Sequence, residues 1–211
     1  MMNIKIYFCL LILLSLSLSC KGKTTSASAS EEKDYTTILQ AKADTAEAYC
    51  KAHGMNTDIC FLIDMSIHPG KNRLFAWDFK QKKILFSGLC CHGMGGGSTA
   101  RKPEFSNEPG SNCTSVGKYK LGIRSYSKWG IHIHYKMHGL EKTNNNAYNR
   151  IVVFHSHSPM PDKEIHPLLL PLGWSLGCPV VSDNTMRKVD ELLKDVDVES
   201  NPVLMWIFVS E

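Results

Sequence analysis

From Cys60 onward the apolar residues come in short runs parted by polar turns, and this rhythm limits the possible folds more than any other feature. "CFLIDMS" is a short apolar run, "RLFAWDF" alternates, "KQKK" turns, and "ILFSGLCC" returns, which spells a hairpin with a polar tip. "KYKLGIRSY" and "GIHIHYKMHGL" resume strand character. In the second, Ile131, Ile133 and Tyr135 point one way and His132 and His134 the other. "NRIVVFHSH" is a strand that carries histidines at its end, and "PVLMWIFVS" closes the chain as a buried strand. Two helices interrupt the series. "TTILQAKADTAEAYCKAHG" has Thr36 or Thr37 as cap and Gly54 where a left-handed C-terminus is wanted; its modest apolar face places it on the outside of the domain. "SDNTMRKVDELLKDV" sets Met186, Val189, Leu192, Leu193 and Val196 on one face, with Ser182 or Asp183 as cap. Helix, many strands, helix, strand predicts a mainly β (α+β) domain with a few helices packed on it.

The 211 residues suffice for one such domain plus extras, and the extras lie at the N-terminus. Lys5 precedes an apolar run from Ile6 to Leu18, too short to span a bilayer comfortably, which reads as the core of a secretory signal. Ser19-Cys20 followed by "KGK" looks like a bacterial lipoprotein signal over residues 1–20, with Cys20 lipidated; an ordinary signal peptide cut nearby is the other reading. Both send the protein out of the cytoplasm, to a cell-envelope, periplasm-facing location on the outer or inner membrane. "KTTSASASEEKD" cannot bury enough apolar surface to offset its ordering entropy, so residues 21–34 read as a flexible tether. Residues 35–57 are then the N-terminal helix and 58–211 the main domain. The net charge of +4 comes largely from scattered lysines, with no basic and aromatic stripe, which argues against nucleic-acid binding. Of eight cysteines, Cys9 leaves with the signal and Cys20 takes the lipid. With Cys178 kept as a working thiol, Cys50, Cys60, Cys90, Cys91 and Cys113 remain; that set cannot all pair within one chain, though one or two disulfides fit an oxidising compartment. No pair has CxxC spacing, so a structural zinc site is not expected.

"GWSLGCPVV" holds the most informative cysteine. A thiol is a poor nucleophile until it becomes thiolate, and a neighbouring imidazole lowers its pKa by forming an ion pair. His155 and His157, two apart at a strand end, are the candidate partners. Gly177 lets the chain bend tightly and leaves the amides of Gly177 and Cys178 free to face a developing oxyanion. Pro179 fixes the exit of the turn, and Ser175 offers a hydroxyl near the thiol. The bland reading of Gly-Cys-Pro is a buried structural thiol. A metal pair at His155 and His157, with His92 as third ligand, is a further reading, but no acidic or cysteine ligand is obviously placed; neither metal nor cofactor is expected. The glycine-rich stretch from His92 to Gly117 is a loop of a length that is usually functional or mobile.

These residues resemble the catalytic signature of bacterial L,D-transpeptidases: a histidine with a small neighbour, a spacer, then Ser/Thr-His-Gly-Cys. Here they are His155, Ser156, Ser175, Gly177 and Cys178. More closely, the chain resembles the murein L,D-transpeptidase catalytic domain family, with "FLIDMS", "RLFAWDF", "HGMGGG", "FSNEPGS", "TSVGKYKL", "HGLE" and "NRIVVFHS" matching in order across roughly residues 58 to 209. Leu176 stands where the larger family has histidine, and "HSH" stands where the closer family more often has His-Gly-Ala, which leaves His155, the preferred base, beside His157 as the alternative. The resemblance implies an L,D-transpeptidase-like β-sandwich or barrel and a cysteine-dependent acyltransferase forming 3→3 cross-links between peptidoglycan stem peptides. It implies Cys178, His155 and Gly177 as catalytic residues, with the imidazole oriented by a backbone carbonyl near Ser156. Ser156, His157, Trp174 and Ser175 are the expected substrate contacts, with Gly95 to Gly97 as further cleft wall and core as the other reading of Trp174. His132, His134 and His138 read as structural. L,D-carboxypeptidase action is the alternative with water as acceptor. A non-catalytic, membrane-anchored wall-binding protein and a cysteine peptidase are rivals. The sequence leaves the oligomeric state open.

Overall fold

The computed structural model describes residues 26–210, so the expected signal peptide, Cys20 and residues 21–25 of the expected tether lie outside the described residues. Residues from Ile38 to the C-terminus form one compact unit. The first helix, α1, runs Ser26–His53. It starts well before the expected caps at Thr36 or Thr37, so residues 26–34 of the expected tether are helical. Its stop is the expected one: Gly54 takes φ +62, and Met55 N–H donates back to Cys50 O at 3.0 Å, the six-to-one bond of a Schellman turn. Leu39, Ala43, Ala46 and Cys50, on one helical stripe, are fully buried.

Eight strands follow in one sheet: β1 Ile59–Asp64, β2 Leu74–Asp78, β3 Lys83–Gly88, β4 Gly117–Tyr126, β5 Ile133–Gly139, β6 Val153–Ser156, β7 Val180–Val181 and β8 Leu204–Phe208. The spatial order is β3-β2-β1-β8-β4-β5-β6-β7. Neighbours run antiparallel except β1 with β8 and β6 with β7. The two edges meet. Cys91, three residues past β3, bridges Val180 of β7, its N–H reaching Val180 O at 2.8 Å. The sheet thus nearly closes into a barrel, the closed form of the expected sandwich or barrel, and closure shields edge groups that would otherwise template foreign strands.

Alternation along the strands builds the core. Phe61 and Ile63 of β1 and Met205 and Ile207 of β8 enter an interior cluster with Leu74, Tyr119, Leu121, Tyr135, Met137 and Phe154. Cys60 and Leu62, on the opposite face of β1, are also fully buried. From Ile38 on, α1 runs along this outer side: its Lys42 Nζ lies 4.5 Å from the Trp206 ring centre and 4.6 Å from that of Phe208, both in β8. A central strand covered on both faces reads as a nearly continuous apolar run, as "CFLI" does. The second helix, α2 Asp183–Leu193, begins at the expected Ser182, whose hydroxyl accepts from Thr185 N–H at 3.2 Å. Met186, Val189 and Leu193 join the interior cluster and Leu192 and Val196 flank it. Asp190 fastens the outer side of α2: it accepts a fork from Arg124 at 2.7 and 3.0 Å and the Tyr135 hydroxyl at 2.6 Å. All six cysteines among the described residues are free thiols, so neither of the disulfides allowed by the sequence is present there.

The segment between β6 and β7 is strapped to the β1–β2 connection. Gly70 O accepts from Ile165 and His166 N–H at 2.8 and 3.0 Å, and Glu164 accepts from Asn72 N–H at 2.8 Å. A side chain at Gly70 would meet Leu168 O at 2.1 Å, so only glycine admits this approach. The strap fixes where the chain re-enters the sheet at β7, and therefore where Cys178 stands. Among the described residues no helix is long and apolar enough to cross a membrane.

Candidate active site

β6 and β7 position the site between them. His155 pairs with Val180 and Ser156 with Val181, in parallel register. Cys178 lies two residues before Val180, in the bend that leads into β7, and Val153 lies two residues before His155. His157 N–H donates to Val181 O at 3.0 Å. Continued backward in steps of two, that register would hand Val153 N–H to Gly177 O; the Cys178 sulfur takes it instead, at 3.4 Å. The thiol in turn faces Ile151 O at 4.0 Å. Sulfur therefore sits at the head of the strand that carries the histidines, in a half-buried residue beside exposed Leu176.

His155 is 8% exposed. Its Nδ1 lies 2.9 Å from Ser156 O, and because a carbonyl only accepts, Nδ1 carries the proton and Nε2 is left as the basic nitrogen. Burial lowers the His155 pKa, the Ser156 carbonyl raises it, and the nearby His134 and His157 lower it further. His134, which the sequence reads as structural, stands directly across the ladder from His155. Burial raises the Cys178 pKa, while the Val153 amide and the Arg150 charge pull it down. Burial thus favours the uncharged form of each group, and the influences that favour thiolate come from Val153 and Arg150.

Three expected site residues are held by the backbone around them. Ser156 is fully buried; its hydroxyl accepts from Ile131 N–H at 3.0 Å, and a side chain at Gly130 would strike it at 1.9 Å. It fastens the β4–β5 connection to the end of β6. Ser175, 3% exposed, donates to Cys178 O at 2.6 Å and accepts from Gly177 N–H at 3.0 Å. It builds the nucleophile turn, and it engages the Gly177 amide that the sequence reading left free. Gly177 itself is required: its φ is +111, and a side chain there would meet Cys113 O at 2.7 Å.

His157 sits half-buried between two indoles, with ring centres 5.8 Å from Trp129 and 5.3 Å from Trp174, both edge-on. Trp174 is both wall and core: it packs with Cys178 against the cluster of Leu89, Cys91, Met160, Leu170 and Val180. Trp129, nearly half exposed, is a neighbour that sequence reasoning missed. The glycine-rich loop reaches the turn where Met94 N–H donates to Ser175 O at 3.1 Å. Gly95 and Gly97 fold back onto Asn112 O and the Glu104 carboxylate, so the loop is tied down by its own bonds. His92 is engaged on both ring nitrogens, by Arg73 at 2.9 Å and by Thr99 O at 2.8 Å, and is not available as a third metal ligand. Among the described residues no group of three potential ligands gathers to hold a metal ion.

Comparison with known proteins adds the following. Residues 30–199 match the family described as L,D-transpeptidase catalytic domain. Among solved structures, the helical cell shape determining protein Pgp2 from Campylobacter jejuni is 14% identical, with a TM-score of 0.46 over 72% of this chain and 48% of that one. Its K307A mutant is 15% identical, with a TM-score of 0.47 over 75% of this chain and 50% of that one. The L,D-transpeptidase (residues 123–326) from Xylanimonas cellulosilytica DSM 15894 is 14% identical, with a TM-score of 0.36 over 72% of this chain and 61% of that one. The chain spans about half the length of the two Pgp2 chains it matches. No curated protein matches it.

Proposed function

Because the chain belongs to the L,D-transpeptidase catalytic domain family, whose members act on peptidoglycan stem peptides, we propose that it is a cysteine acyltransferase forming 3→3 cross-links in peptidoglycan. The observation that carries this reading is the arrangement at the head of β6: a half-buried thiol held by the Val153 amide, on the strand that two residues later carries an imidazole whose Nδ1 proton is committed to Ser156 O.

In the proposed reaction His155 Nε2 takes the Cys178 proton as sulfur attacks the carbonyl between the diamino acid at the third position of a stem and its terminal D-alanine. The C–S bond forms and the C–N bond breaks. The leaving amine of D-alanine picks up the proton from His155, and a thioester remains on Cys178. The side-chain amine of a second stem then attacks the thioester, gives its proton to His155 and releases the thiol. Water in place of that amine completes the L,D-carboxypeptidase reaction. Ser175 holds the Gly177 amide, so the Cys178 amide, which meets no acceptor among the described residues, is the donor best suited to the oxyanion.

Incubation of the soluble domain with disaccharide tetrapeptide, followed by mass spectrometry, tests the reading. D-alanine release with dimer formation is expected, and both should vanish in Cys178→Ala. Release without dimers assigns hydrolysis, and turnover by Cys178→Ala at the wild-type rate sinks the mechanism. The leader and Cys20 support an envelope location on a lipid anchor. Membrane fractionation checks this: Cys20→Ala is expected in the soluble fraction, and its retention with the membrane would overturn the anchor.

A further inference from the structure

Just before β6 the chain carries two features the mechanism does not use. Ile151 holds φ +59, a left-handed conformation that β-branched residues avoid, although its side chain is 70% exposed and gains little from packing. Such a conformation persists only where the surroundings over-determine it, at a cost of about 1–3 kcal/mol. Its carbonyl faces the Cys178 thiol. Next to it stands Arg150. The guanidinium donates to Ser106 O at 2.9 Å, Ser115 Oγ at 2.5 Å, Ser111 Oγ at 3.2 Å and Cys113 O at 2.7 Å. All four acceptors are neutral and lie on the β3–β4 connection. Among the described residues no carboxylate lies within ion-pair distance of Arg150.

The same guanidinium presses on the nucleophile turn. A side chain at Gly177 would stand 3.3 Å from Arg150 Nη2 and 2.7 Å from Cys113 O, the atom that Nη2 holds. Arg150 therefore joins three pieces: the β3–β4 connection, the strained Ile151 turn and the Gly177-Cys178 turn. A cation without a carboxylate partner keeps its field for whatever negative charge arises nearby.

Building on the transpeptidase reading, we propose that Arg150 is a positioning residue: it fixes the Ile151 and Gly177 turns around the sulfur and supplies the positive charge that stabilises Cys178 as thiolate. The other groups facing the sulfur do not compete for this role. His155 is buried, which favours its uncharged form, and the Tyr119 hydroxyl donates to Ser115 O at 2.7 Å with its pKa pushed up by burial. Among the described residues, Arg150 is also the charged side chain whose field lowers the Cys178 pKa.

The test reads the alkylation rate of Cys178 against pH, by mass spectrometry of its peptide, with kcat and KM for D-alanine release. In Arg150→Gln the alkylation midpoint should rise by about one pH unit or more, and kcat should fall about tenfold or more at nearly constant KM. Arg150→Lys, which keeps the charge but loses the fork, should shift the midpoint less and still lose kcat. Should Arg150→Gln not fold, Ser111→Ala/Ser115→Ala removes two of the four bonds and should lower kcat by itself. A folded Arg150→Gln with wild-type midpoint and kcat, or the double serine variant with wild-type kcat, overturns the proposal. Alkylation is read without turnover, so a failure of the transpeptidase reading, seen as release by Cys178→Ala, is distinguishable from a failure of this one.

Discussion

Burial acts on Cys178 and His155 with the same outcome: it raises the thiol pKa and lowers the imidazole pKa, and each shift favours the uncharged form. In the proposed reaction, proton transfer coupled to attack on the substrate avoids a resting ion pair that burial disfavours. The alkylation rate should keep rising with pH past the ordinary thiol value, because a raised pKa delays thiolate formation to higher pH. The tautomer sets which histidine matters. His155 has one nitrogen fixed on a carbonyl and the other free to accept, whereas His157 is wedged between Trp129 and Trp174. His155→Ala should slow alkylation near neutral pH and cut D-alanine release by about 100-fold or more. His157→Ala should retain most of both. If the two variants trade places, measured by iodoacetamide kinetics and product release, the assignment of the base is wrong.

At the scale of elements, what the sequence made legible was local. Strand alternation from Cys60, the Ser182 cap and the Gly54 stop each depend on residues within a turn or two, and each took the expected form. The start of α1 was hidden because serine, alanine and glutamate are compatible with a helix as well as with a solvated tether; composition alone does not separate the two. The serines show the same limit. A hydroxyl binds substrate or backbone with equal chemistry, and the partners that decided the outcome for Ser156 lie 25 residues away, at Ile131. Arg150 follows the polar run "NNNAYN" and looks like part of a solvated turn. Its acceptors lie 35 to 44 residues upstream, inside the long loop. The Cys–His constellation was readable because each half is a short motif; the clamp that supports it is built from side chains the chain brings together only by closing the sheet.

Over the whole molecule, the barrel closes along a seam that holds a buried charge. Arg73, fully buried just before β2, donates through Nε to Cys90 O at 2.6 Å and through Nη2 to His92 Nδ1 at 2.9 Å. His92 Nδ1 must accept and so is unprotonated, which leaves Nε2–H to donate to Thr99 O at 2.8 Å. The next residue back, Cys91, makes the bridge to Val180. Protonated His92 would turn a donor and a positive charge toward Arg73. Burial first, and the Arg73 charge second, lower its pKa to about 4. The unfolded chain keeps a value of about 6.5, so between the two values the unfolded state binds more protons. The contribution of neutral His92 is therefore full above pH ~6.5 and is lost as pH falls toward ~4, about 3 kcal/mol in all. His68, His134, His138 and His155 are shifted in the same direction and steepen the loss. Asp190, held below the usual carboxylate range by Arg124, gives way only at lower pH. Urea melts from pH 7 to 4 should show this fall, and His92→Gln, whose amide keeps one acceptor and one donor without titrating, should flatten it. Parallel curves for the two proteins would mean that the seam does not govern acid stability. A flatter curve for the variant would show that acid opens the barrel where its edges meet, beside the turn that carries Cys178.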